Sequence, residues 1–411
     1  MLTRSRNLKA VKDRLRFYKK PILGLFNAIH TVVFFPVALI FWVLRINILR
    51  VNASRIGHLC ADLETYARIR LSKKIYARKT FLLVHRNECA NEHLLEYFKE
   101  FYSVVRNPIF IFILKPMSKH FLSGVKSSES TETLGQAEHY SAKRLGPVSP
   151  LLSLSDSDEI RGKKALEKLG IPENSWYVCI HSRESGYSTS FETKDSKPTD
   201  FGQGFRNSEI SSYHAAIRAI EERGGWSIRV GDGTMKPFHY SGNFVDYALS
   251  DMKSDWLDVF LGANNLLFLG NTSGLFHIPS VFGAPIALTN MIPITHVFPP
   301  NKIDIAIPKL FKDKRSNSLV PFKKVLQTPL GNGRDDHVFR DCEFEIIDNS
   351  EEDICDLVEE ALDRRNGVYI SNNEDDERQE AFRKLFQGKE YSYYGLGSVG
   401  SRFLKKYEQL L

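Results

Sequence analysis

From Trp176 onward the chain alternates short apolar runs with longer stretches of helical spacing, and each apolar run closes on glycine or small polar residues. Trp176-Tyr177-Val178-Cys179-Ile180, Trp226 to Val230, Asn265 to Leu269 and Pro285 to Thr289 read as strands. Between them, Asn207 or Ser208 caps a predicted helix to Arg223, closed by Gly224-Gly225, and further helices are predicted from Asp255 to Ala263 and from Thr272 to Phe282. Regular strand and helix alternation predicts a parallel, doubly wound sheet. The first half shows a weaker version of the pattern. A helix is predicted from Asp62 to Lys74 and a strand from Thr80 to Val84. Asn91 caps a helix to Phe101, with Glu92 near its positive end, and a strand follows at Val104-Val105. Ile109 to Leu114 is too short to assign by period, and Arg55-Ile56-Gly57-His58-Leu59 reads as a loop or tight turn.

The boundaries follow from these shifts in pattern. Residues 1–50 form a basic, hydrophobic leader and 51–151 a first α/β domain; 115–157 is a polar, serine-rich linker or mobile loop at its end. Residues 158–370 form a second α/β domain, opening on a short helix from Ser157 to Leu169, and 371–411 a C-terminal helical segment. The fold class expected is α/β, two Rossmann-like domains with an N-terminal membrane-associated helix.

Charge changes the picture at the N-terminus. The net charge of +7 over 411 residues is modest, but Arg4, Arg6, Lys9, Lys12, Arg14, Arg16, Lys19 and Lys20 precede Pro21 against only Asp13. Ile22 to Leu44 then carries no Asp, Glu, Lys or Arg. As one helix it would span roughly 34 Å at about 1.5 Å per residue, enough for a hydrocarbon core. Asn27, His30 and Pro36 interrupt it, and Arg45 and Arg50 follow, so a kinked, re-entrant or surface-lying helix competes with a full span. Basic residues gathered before a greasy segment, without interleaved aromatic stackers, point to an anionic lipid surface and away from nucleic acid. Five cysteines without C-x-x-C spacing look like reduced thiols, neither a disulfide frame nor a zinc site. Asn52 and Asn271 open N-x-S/T triplets, which matter only in a secretory lumen.

Candidate chemistry collects where predicted strands end. The first strand runs into His181-Ser182-Arg183; strand alternation would send His181 and Arg183 to the same side, a donor fork beside an imidazole. Gly231-Asp232 follows the next strand, and Asn271-Thr272-Ser273-Gly274 opens a predicted helix whose amides and hydroxyls suit phosphate. A polar stretch from Glu184 to Asn207, long enough for a lid, ends with Arg206 and Asn207. The competing accounts are ordinary: a structural salt bridge for Arg183, helix capping by Thr272 or Ser273, surface charge for Arg206, and a helix N-terminal carboxylate for Asp255. No Walker motif, dinucleotide fingerprint or D-x-D pair is present.

Tyr177 to Glu184, Phe205-Arg206-Asn207, Gly225 to Asp232, Ser254 to Leu261 and Asn271 to Leu275, together with Arg55 to Leu59, resemble a family of bacterial glycosyltransferases of surface-polysaccharide and lipopolysaccharide gene clusters. The His-x-Arg element is also similar to that of fucosyltransferases with two domains facing across a cleft, the GT-B architecture. What the resemblance implies is a nucleotide-sugar donor whose diphosphate is held by Arg183, with Thr272 and Ser273 on the donor side. It further implies no metal or other cofactor, and a C-terminal segment that packs back on the first domain. Donor-side residues are then His181, Arg183, Arg206, Asn207, Gly231, Asp232, Asp255, Asn271, Thr272, Ser273 and Gly274. His58, Asp62 and Glu184 are candidates for the base that activates the acceptor. The partners expected are a nucleotide-sugar, a lipid-linked glycan acceptor and the membrane surface, at the cytoplasmic face of the inner membrane, monotopic or single-span. A noncatalytic nucleotide- or glycan-binding component of an assembly complex is the alternative.

Overall fold

The computed structural model describes residues 29–30, 32–72, 79–117, 150–186, 203–334, 336–340, 342–386, 388 and 392–411. The basic run before Pro21, most of the serine-rich 115–157 stretch and positions 187–202 of the expected lid lie outside the described residues.

The chain begins with α1 (Phe35–Val43), β1 (Ile46–Arg50), α2 (Ile56–Ser72), β2 (Lys79–Leu83), α3 (Glu92–Phe98), β3 (Ser103–Val105) and α4 (Pro108–Met117). The three strands form a parallel sheet in the order β1-β2-β3, with Ile48 opposite Phe81 and Leu82 opposite Val104. Strand alternation sorts the two faces. Leu49 and Leu82 point to a core shared with Leu59 and Leu63 of α2 and Leu94 and Phe98 of α3, while Ile48 and Leu83 meet Ala38 of α1 and Ile111 and Leu114 of α4. Asn91 caps α3 as expected, its Oδ1 accepting from the Leu94 amide at 2.7 Å.

Two expectations change here, and a third lies partly outside the described residues. β1 lies inside the stretch assigned to the leader, so the first sheet begins at Ile46, not at 51. Arg45, in the left-handed region at φ 54°, turns the chain out of α1 and into that strand. Residues 22–28 and 31 of the greasy segment lie outside the described residues; the described part is helical at 29–30 and 32–33 and in α1, where Pro36 sits near the start, and among the described residues no helix is long and apolar enough to cross a membrane. Finally, Ile56 to Leu59, expected as a loop, forms the first turn of α2.

The second half holds α5 (Asp156–Lys168), β4 (Tyr177–His181), α6 (His214–Glu222), β5 (Trp226–Arg229), β6 (Phe244–Val245), α7 (Asp255–Asn264), β7 (Leu267–Asn271), α8 (His277–Phe282), β8 (Ile286–Met291) and β9 (Ile305–Pro308). An antiparallel pair, β10 (Leu310–Asp313) and β11 (Phe344–Ile347), flanks α9 (Phe322–Leu326) and α10 (Asp336–Arg340). The chain ends with α11 (Glu351–Arg365), α12 (Asn373–Lys384), β12 (Ser398–Val399) and α13 (Ser401–Lys406). Seven strands make one parallel sheet in the order β12-β9-β8-β7-β4-β5-β6. From β4 the chain moves outward through β5 and β6, then returns to the other side of β4 with β7. The topological switch point therefore lies between β4 and β7.

Helices α6 and α11 pack together on the large sheet, whereas Val259 of α7 and Ile278, Val281 and Phe282 of α8 join the core around α2 and α3. The C-terminal segment does not return to the first sheet. β12 adds to β9, the Ser401 amide donates to Glu360 at 2.7 Å, and Phe382, Phe386, Phe403 and Leu404 enter the core of the large sheet. Those four apolar side chains find their complement there, completing the sheet edge.

Candidate functional site

β4 and β7 pair with His181 beside Gly270, so the residues just past both strands emerge together at the switch point. Asn271 is fully buried and binds that junction. Its Oδ1 accepts from the Arg183 amide at 2.9 Å, and its Nδ2 donates to the Arg206 carbonyl at 3.0 Å and to Ser208 Oγ at 2.9 Å. Asn271 is thus a clamp for two loops, and its burial closes it to a glycan. The Arg183 guanidinium donates to the Gln203 carbonyl at 3.1 Å and to Asn207 Oδ1. Arg206 donates from Nε to the Thr272 carbonyl at 3.0 Å and from Nη1 to Gln203 Oε1 at 2.7 Å. Arg183, Arg206, Asn207, Asn271 and Thr272 form one hydrogen-bonded group.

Lys309 joins them without any sequence signal. It follows β9, its side chain is 3% exposed, and its Nζ donates to the Asn207 carbonyl at 2.8 Å and to Asp348 Oδ1 at 2.6 Å. Burial holds its pKa below the ordinary lysine value, the Arg183 charge works in the same direction, and Asp348 opposes both. A lysine after a proline between two strands has no pattern of its own; only the meeting of β9 with the 203–207 segment reveals it.

His181 departs from the expected geometry. β4 ends at His181, so alternation does not extend to Arg183. His181 Nδ1 lies 3.0 Å from the Val230 carbonyl at the end of β5, while Arg183 turns to the 203–207 segment. A carbonyl only accepts, so Nδ1 carries the proton and Nε2 keeps a lone pair. Burial lowers the His181 pKa to about 4, which leaves the ring neutral and unsuited to pair with an anion. Beside it, Gly231 leaves room for Met235: a Cβ there would meet the Met235 thioether at 2.3 Å. Asp232 closes a local turn, accepting from the Thr234 amide at 2.9 Å and from its hydroxyl. Glu184 is committed elsewhere. It accepts from the fully buried Arg229 at 2.7 Å and from the Lys236 amide at 3.0 Å, and Asp246 holds the other side of Arg229 at 3.1 Å. A small, largely apolar cavity lined by Cys179, Val230, Gly231, Phe268, Leu275 and Ile278, with Asp258 also on its wall, does not include the arginines.

The hydroxyl loop differs from expectation. α8 starts at His277, so Thr272 and Ser273 precede a separate turn and do not open a helix. The Thr272 hydroxyl faces inward, accepting from the Ile292 amide at 3.1 Å, and Ser273 Oγ accepts from the Leu275 amide at 3.1 Å. What delays the helix is contact with the first sheet's helix. A Cβ on Gly274 would lie 2.8 Å from the Gly57 amide nitrogen, and a Cβ on Gly57 would lie 2.8 Å from the Gly274 Cα. Two glycines at this crossing let backbone meet backbone.

His58 is therefore one residue from the contact that Ser273 borders. Its Nδ1 lies 3.5 Å from Asp62 Oδ2 one turn along α2, with His58 25% exposed and Asp62 buried. Asp255 is not part of this group: its Oδ2 accepts from the Glu92 amide at 2.8 Å and its carbonyl from Asn91 at 2.9 Å, tying α7 to the start of α3. Among the described residues no group of three or more His, Cys, Asp or Glu side chains is gathered closely enough to hold a metal ion.

No family model and no curated protein matches the chain. Among solved structures, a glycosyl transferase family 9 protein from Veillonella parvula DSM 2008 is similar at TM-score 0.42 and 9% identity, over 77% of this chain and 97% of that one. The iron-containing dodecameric glycosyltransferase TibC from enterotoxigenic E. coli H10407 is similar at TM-score 0.32 and 12% identity, over 59% of this chain and 57% of that one. At such scores neither likeness bears on the chemistry.

Proposed function

We propose that the chain is a GT-B-like glycosyltransferase that moves a sugar from a nucleotide-sugar to a lipid-linked or polysaccharide acceptor in cell-surface glycan synthesis, at the cytoplasmic face of the inner membrane. The observation that carries this reading is the gathering of Arg183 and Arg206 on Gln203, beside Lys309, at the switch point between β4 and β7. Open parallel sheets bind ligands there, and guanidinium forks suit a diphosphate.

In the transfer the bond from the anomeric carbon to the diphosphate oxygen breaks, and the leaving group keeps the electron pair. The cations stabilise the charge that develops, so the reading needs no metal. The acceptor oxygen bonds to the anomeric carbon and gives up its proton. We assign that proton to His58, whose Nδ1 lies 3.5 Å from the buried Asp62 carboxylate and which follows Gly57 at the contact with Gly274. Glu184 is already shared between Arg229 and a backbone amide.

Titration of the full chain with nucleoside diphosphates tests the donor site. Arg183→Lys keeps the charge and removes the fork, and is expected to weaken binding by about tenfold. Affinity unchanged in that variant, or no binding of any nucleoside diphosphate by the parent, overturns the assignment. Release of nucleoside diphosphate coupled to acceptor glycosylation separates the enzyme from a noncatalytic binding component.

A further inference from the structure

Both helices on one face of the small sheet carry more apolar surface than the sheet can cover. α1 and α4 bury Ala38, Ile111, Leu114 and Met117 against Ile48 and Leu83. On their outer sides Ile40, Trp42 and Val43 of α1 are 54%, 57% and 64% exposed, and Ile109 and Phe110 of α4 are 67% and 59% exposed. A helix that is apolar all round belongs in a core or against lipid. Among the described residues neither helix is long and apolar enough to cross a hydrocarbon core, and the geometry that suits both is lying in the interface.

Charge identifies the occupant. The chain reaches α1 through a segment in which Lys and Arg outnumber Asp eight to one before Pro21, and Arg45 and Arg50 follow α1. Basic residues that flank an apolar stretch in sequence complement anionic lipid headgroups. We propose that α1 and α4 together form a monotopic docking platform for an anionic bilayer, so that membrane contact is built into the first sheet and not confined to the leader. This rests on the membrane location proposed above and not on the donor chemistry. α2 and α3 cover the opposite face of the same sheet, so α1 and α4 are the helices of this sheet that carry the exposed apolar side chains.

The test uses the full chain with vesicles of phosphatidylcholine alone or with 30% phosphatidylglycerol by design, and no nucleotide. Expected is co-sedimentation with the anionic vesicles, quenching of Trp42 emission by brominated lipid, and about a tenfold loss of partitioning in Ile109→Ser/Phe110→Ser with the leader intact. Both positions are exposed, and an unchanged urea midpoint verifies that the variant is folded. Partitioning equal to the parent's leaves attachment to the leader alone and overturns the proposal, as does equal binding to neutral vesicles. A detergent-free dimer that the substitutions convert to monomer, with vesicle binding unchanged, assigns the face to a second copy and likewise overturns it. Failure of the donor reading would leave every one of these measurements unaffected.

Discussion

The two sheets are finished differently. Every residue of β4, β7, β8 and β9 is buried, and the helices over the large sheet bring polar residues outward. The three-stranded sheet is sealed on one face by α2 and α3, while on the other its covering helices leave Trp42 and Phe110 bare. The seven-stranded sheet thus has a closed interior whose chemistry gathers at strand ends, as expected of a rigid ligand scaffold. The smaller one joins that scaffold through α2 and offers its far side to something apolar. In the function proposed, one half of the molecule holds the ligand site and the other sets where that site is located.

The largest effect is expected where the closed sheet depends on a buried charge. Arg229 is fully buried between Glu184 and Asp246. Arg229→Met would leave two carboxylates facing each other without their cation, at a cost of about 3 kcal/mol read from urea unfolding. A loss under about 0.5 kcal/mol would show that the end of β5 is wet, and the contrast between the sheets would weaken. The seam between the two comes next. Gly274→Ala forces a methyl group against the Gly57 backbone, with an expected loss of about 1–3 kcal/mol and reduced turnover from displacement of His58. If stability and turnover are both unchanged, α2 and the 274 turn are not the rigid junction described here.

How much of this was legible in the sequence follows from what each element uses for its stability. Strand ends could be read because apolar runs stop abruptly at residues such as Asn271 and Arg183, and the loop that Asn271 clamps includes Arg206. β1 could not be read, because Ile46 to Arg50 continues an apolar stretch and only the left-handed turn at Arg45 separates them. The start of α8 was misplaced because Thr272 and Ser273 look like caps, whereas their hydroxyls serve Ile292 and Leu275. β12 is two residues long and owes its place to the aromatic residues around it, a tertiary effect with no local signature. Lys309 and the Glu184–Arg229–Asp246 group were hidden for the same reason: a salt bridge between distant positions leaves no periodicity.

The smallest effect appears as a slope with pH. His181 ends β4 beside the switch point, buried and neutral, its pKa lowered to about 4 by loss of solvent. In the unfolded chain the ring regains its ordinary value near 6.5, so unfolding takes up a proton between those two values. The stability contributed by the neutral ring is complete above about pH 6.5 and is lost progressively as pH falls towards 4. At pH 6 the loss relative to pH 8 is expected to be just under about 1 kcal/mol. His181→Asn should flatten that part of the profile, measured as the urea midpoint between pH 8 and pH 5. If parent and variant follow parallel profiles, water reaches the imidazole and the large sheet is less closed than its strand burial implies.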